Sequence, residues 1–72
     1  MNLSNNFMIS IGTDFILVPS LKYAREKAKQ FSVKYSKATI QKWTYDYELD
    51  DYILDDYFFI KYINGIEQPS DD

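Results

Sequence analysis

A chain of 72 residues has room for one hydrophobic core, and with no cysteine and no histidine it has no disulfide, no thiolate nucleophile and no imidazole base or metal ligand. A chain of this size buries only about 60% of the surface it exposes when unfolded, so its core rests on side-chain packing, to which 18% aromatic residues contribute, or on association. The net charge of −3 is divided unevenly: residues 1–42 hold seven basic and two acidic groups (net +5), and residues 43–72 hold one basic and nine acidic groups (net −8).

The opening MNLSNNFMISIG has neither a basic n-region nor an apolar run of signal-peptide length, and no stretch approaches the roughly 20 apolar residues of a membrane span. The expectation is a cytoplasmic protein with no membrane partner. A composition rich in Asn, Lys, Ile, Tyr and Asp fits an AT-rich genome, such as a low-GC bacterium or one of its phages.

Residues 7–11 (FMISI) and 14–18 (DFILV) flank Gly12-Thr13. Gly at the first central position of a two-residue loop predicts a type II′ hairpin turn, and one longer strand bulged at Gly12 is the alternative. Pro19-Ser20 ends the strand, and Ser20 is a good N-cap for the helix that follows. From Leu21 to about Ser36, Leu21, Ala24, Ala28, Phe31 and Tyr35 recur at spacings of three and four, which places them on one stripe. The remaining basic surface of the helix and its end carries Lys22, Arg25, Lys27, Lys29, Lys34 and Lys37.

Ala38 to Leu49 alternates as a half-buried strand, with Trp43, Tyr45, Tyr47 and Leu49 facing one way. Asp50-Asp51 is the expected reversal, which sets Trp43 opposite Phe58 and Gln41 opposite Ile60. A turn at Asp55-Asp56 keeps the same parity. Either way the aromatics face inward, while Lys42, Thr44 and Asp46 share the outer face with Phe59, Lys61 and Ile63. Asn64-Gly65 is a favoured type I′ pair that either opens a short last strand over residues 66–68 or ends the fold.

These elements predict an α+β fold: a small four-stranded antiparallel sheet in the order β-β-α-β-β, with one helix packed on one face. Residues 1–68 form a single domain and residues 69–72 a disordered C-terminal tail. The uncovered sheet face, showing Phe59 and Ile63, suits a partner site or a dimer contact.

The chemistry points away from catalysis. Two glycines cannot build a phosphate loop or a dinucleotide fingerprint, so no cofactor is expected. The alternating acids Asp46, Glu48 and Asp50 resemble the start of a calcium loop, but its sixth and twelfth positions fall on Asp51 and Tyr57, so no metal is expected. The paired carboxylates Asp50-Asp51 and Asp55-Asp56 read as solvated turns rather than an acid–base pair.

Binding is the remaining class. Asp46, Glu48, Asp50, Asp51, Asp55 and Asp56 fall within eleven residues, interleaved with Tyr47, Tyr52 and Tyr57 as apolar anchors. Strand residues two apart lie about 6–7 Å from each other, a spacing comparable to that of phosphates along one DNA strand. In this respect residues 45–59, YDYELDDYILDDYFF, resemble the surface chemistry of DNA-mimicking antirestriction and anti-CRISPR proteins. The resemblance implies a phage- or mobile-element-encoded inhibitor that occupies the basic groove of a host nucleic-acid-handling enzyme. Three other readings stand beside it: acids that keep an aromatic hairpin soluble, a nucleic-acid-binding helix acting through Lys22, Arg25 and Lys29, and a homodimer pairing basic helix with acidic hairpin.

Overall fold

The computed structural model describes residues 3–69, with side chains from residue 6 onward. All but the first residue of the tail expected over 69–72 therefore lies outside the described residues. Strand β1 (Leu3–Ile11) and strand β2 (Asp14–Val18) precede helix α1 (Leu21–Tyr35), and strands β3 (Lys37–Asp46), β4 (Asp51–Ile63) and β5 (Ile66–Glu67) follow it. The fold is α+β, with one helix and an antiparallel sheet. The sheet has five strands where four are expected, in the order β2-β1-β3-β4-β5. The added strand is a two-residue return after Asn64-Gly65, whose φ values of 52° and 85° are those of a type I′ turn.

The first hairpin closes at Gly12-Thr13, with Ile11 paired to Asp14. Gly12 has φ 61° and Thr13 is not in the left-handed region, the signature of a type II′ turn. Ser20 caps the helix, its Oγ accepting from the Tyr23 N–H at 3.3 Å. The buried stripe of the helix is Ala24, Ala28 and Ser32. Tyr35, expected on that stripe, is exposed instead, because the helix ends there and Ser36 turns the chain with φ 77°.

Small residues on the stripe let the helix approach the sheet, where Phe7, Ile9, Val18, Ala38, Ile40 and Tyr62 complete the buried core. Ser32 is the sole polar residue among the buried ones described. Its hydroxyl donates to the Lys29 carbonyl and accepts from the Gly65 N–H, each at 2.8 Å. A buried hydroxyl with both roles filled avoids a desolvation penalty, and this one ties the helix to the β4–β5 turn.

The pairing of β3 with β4 corrects the expected register. Gln41 lies opposite Phe59 and Ile40 opposite Ile60, whereas Trp43 lies opposite Leu54 and Tyr45 opposite Tyr52. Continuing the first ladder sets Phe58 against Lys42, so Asp55, Asp56 and Tyr57 are three extra residues in β4. Three is odd, so the bulge inverts the alternation of β4, while β3 keeps an unbroken register against β1. Phe58 stays on the helix side, with its ring 5.6 Å from Phe7. Trp43 and Tyr45 lie on the uncovered face because the even positions Ala38 and Ile40 of the same strand are buried under the helix, and the bulge brings Leu54 and Tyr52 round to join them. Lys42, Thr44 and Asp46 accordingly lie on the helix side, not on the outer face expected for them. The reversal also moves: residues 47–50 form a four-residue loop, so Tyr47 and Leu49 leave the strand and Asp51 begins the next one. Asp55-Asp56 is a bulge, not a turn.

Candidate functional site

The β3–β4 hairpin extends beyond what the helix can cover. Fifteen helical residues span about 22 Å, whereas ten residues of β3 span about 33 Å. From Gln41 through Lys61 no residue is buried. The radius of gyration, 12.7 Å, exceeds the roughly 11 Å expected of a compact chain of this length, and the longest dimension is 39 Å.

The tip of this hairpin is organised by its acids. The Asp46 carboxylate accepts from the N–H groups of Glu48 and Leu49 at 2.9 and 3.4 Å, which closes the loop from its first side. Asp50 takes φ 54°, a conformation Asp tolerates better than most residues, and its carboxylate accepts from the Tyr45 hydroxyl. The Tyr45 ring meets Tyr47 and Tyr52 edge-on, with centroids 4.8 and 4.9 Å away. That hydrogen bond, foremost, raises the Tyr45 phenol above its ordinary pKa. Two of the acids thus hold the loop, and the Asp51 carboxylate accepts from the Tyr52 N–H at 2.8 Å where β4 begins.

Farther along β4, the Asp55 carboxylate accepts from the Tyr57 N–H at 3.0 Å and fixes the bulge. Asp56 is exposed, and Tyr57 is 101% exposed, its ring standing clear of the fold. The expected contact residues therefore form two groups: Asp46, Tyr47, Glu48, Asp50, Asp51 and Tyr52 at the tip, and Asp55, Asp56 and Tyr57 at the bulge. Three positions of β4, from Tyr52 to Asp55, separate them, about 10 Å along the strand.

The basic helix is arranged differently. Lys22, Arg25 and Lys29 share one exposed stripe, but Arg25 pairs with Glu67 of β5. The same carboxylate accepts from the Tyr62 hydroxyl at 3.0 Å. Burial, with this bond second, raises the Tyr62 phenol. Lys27 and Lys34 lie over the rings of Tyr23 and Tyr35 at 5.5 and 5.2 Å.

The uncovered sheet face carries a feature that the expected alternation concealed. Met8, Phe15, Leu17, Trp43 and Tyr52 line an open apolar hollow of about 170 Å³. The Trp43 Nε1–H is buried and has no hydrogen-bond partner among the described residues. Trp43 reaches this face by the plain alternation of β3 from the buried Ala38 and Ile40, whereas Tyr52 reaches it only through the parity change at the β4 bulge, which no short sequence pattern announces.

Among the described residues no group of three or more His, Cys, Asp or Glu side chains could hold a metal ion. No described helix is long and apolar enough to cross a membrane. Comparison of the chain with protein-family models, with characterised proteins and with solved structures found no match.

Proposed function

We propose that the protein is a small, non-enzymatic binding module whose β3–β4 hairpin engages a basic surface on a protein partner. In its sharpest form it is a phage- or mobile-element-encoded inhibitor that blocks a nucleic-acid-handling enzyme of a bacterial host. The observation that carries this reading is the unburied run from Gln41 to Lys61, which exposes Tyr47, Tyr52 and Tyr57 among the acids. Acids along an open strand edge are accounted for by the need to prevent edge pairing. A fully exposed tyrosine on an acid-braced bulge is not, because it adds apolar surface where solubility asks for none. Acids steer encounter with a basic groove, and desolvated aromatic rings slow release. The Arg25–Glu67 pair, which engages the one arginine of the alternative site, weighs against nucleic-acid recognition through the helix.

The experiment is capture from host lysate on the immobilised chain, followed by elution with duplex DNA. Proteins that bind the chain and are released by DNA are expected, and a variant carrying Lys at Asp50, Asp51, Asp55 and Asp56 should capture none of them while keeping a native circular dichroism spectrum. Equal capture by the variant would sink the reading.

A further inference from the structure

The two edges of the sheet are built differently. On the β4 side the edge bears Asp51, Asp55 and Asp56, is broken by the bulge, and ends in a two-residue strand followed by Gln68-Pro69. Charges, bulges and very short strands are the standard devices against edge pairing. On the opposite side β2 reads DFILV, pairs only with β1, and leaves Phe15, Ile16 and Leu17 exposed at 60%, 40% and 49%. It carries one acid, at its first residue, and neither lysine nor bulge.

The hydrogen-bonding phase of this edge follows from the hairpin. Ile11 and Asp14 flank the two-residue turn, so the Asp14 N–H points toward β1. Alternation then turns Ile16 and Val18 inward and aims the N–H and C=O groups of Phe15 and Leu17 outward. The geometry points to β2 as a homodimer interface, in which two copies pair β2 antiparallel about a twofold axis at Ile16. In that register Phe15 faces the partner's Leu17, Leu17 faces the partner's Phe15, and every outward backbone group of these residues finds a complement. Asp14 faces the partner's Val18, so no like charges meet. Pro19, which has no N–H, ends the ladder at either side.

A second copy is the occupant favoured because the edge complements itself in hydrogen bonding, in side-chain size and in charge. An edge pair of this kind has its axis perpendicular to the sheet. Both apolar hollows thus fall on one side of a continuous sheet, and the two acidic hairpins point away from each other. The proposal does not depend on the function assigned to the hairpin.

Three measurements on the full chain test it. Light scattering should give a mass rising with concentration toward twice the 8.6 kDa of one chain. Phe15→Lys, on an exposed side chain, should hold the mass at that of a monomer, as should Leu17→Pro, which removes an outward donor and the side chain set against the partner's Phe15 but no hydrogen bond to β1; each should keep its native spectrum. In a chain without cysteine, Ile16→Cys should oxidise to a covalent dimer, since the central pair has Cα atoms about 4.5 Å apart, within disulfide range. Asp14→Cys should not, because the two copies of that residue lie about 13 Å apart. A chain that remains monomeric at every concentration overturns the proposal. So does a dimer that survives Phe15→Lys, or one that cross-links equally through either cysteine.

Discussion

The phenol of Tyr45 donates a hydrogen bond to the carboxylate of Asp50. The strand and the loop it leads into are thus joined by the two residue types that dominate the hairpin. A neutral phenol can donate and a phenolate cannot, so the bond favours the protonated form in the folded chain. Tyr62 is held protonated too, by burial and by its bond to Glu67.

Tyr45 and Tyr62 are therefore expected to ionise above the ordinary phenol value of about 10 in an alkaline titration followed by phenolate absorbance. Tyr45→Phe and Tyr62→Phe should each remove part of the late step. Both folded values are raised, so the stability these groups contribute is complete below the unfolded value of about 10 and is lost as pH rises through the folded ones. A titration that neither substitution alters above about pH 10 would contradict the arrangement.

Ser32 and Gly65 supply a stability test. Ser32→Ala leaves the Gly65 N–H without its acceptor and should cost about 1–3 kcal/mol in urea unfolding. Gly65→Ala should cost more than Gly12→Ala. Both adopt positive φ, at about 1–2 kcal/mol for an L residue, but a Cβ at Gly65 would lie 2.7 Å from Val33 Cγ2 while one at Gly12 meets nothing within 4 Å. Adding Val33→Ala to Gly65→Ala should recover the difference between the two glycine variants.

Local chemistry made much of the fold legible. Gly12 announced the first turn, Ser20 the start of the helix, Asn64-Gly65 the last turn, and the three- and four-residue spacing of Leu21, Ala24, Ala28 and Phe31 the covered stripe. What escaped was long-range. Trp43 through Leu49 alternates so cleanly that a continuous ladder follows from it, yet the partner strand has three more residues than that ladder can pair. Ser32 was hidden for another reason: a serine inside a helix looks like surface until its acceptor role toward a turn 33 residues away is known. The acids of the hairpin were legible as a group, but not their division between those that brace the loop and those left at the surface.

The bulge gives a prediction of its own. A chain lacking Asp55, Asp56 and Tyr57 would bring Leu54 and Phe58 into one unbroken ladder against Trp43 and Lys42. It should fold with midpoint stability equal to or above that of the full chain, because both halves keep their registers and their faces. Capture of a partner should fall sharply. Loss of folding would show that the bulge is needed for the sheet itself.

Trp43 carries a buried donor with no partner among the described residues. Such a group costs about 1–3 kcal/mol, which offsets much of what the indole gains by packing over the open face. Trp43→Phe loses one ring's contacts but removes the unpaired donor with them, so it should cost well below the ~3–5 kcal/mol of a full truncation to Ala. A larger loss in thermal or urea unfolding would mean that the indole N–H is satisfied in solution.

Hydrogen exchange of the chain, free and bound to a captured partner, tests the proposed function most directly. Binding through the hairpin predicts added protection of backbone amides from Tyr45 to Phe59, with Leu21 to Tyr35 unchanged. Protection confined to the helix, with the hairpin amides exchanging as in the free chain, would contradict it.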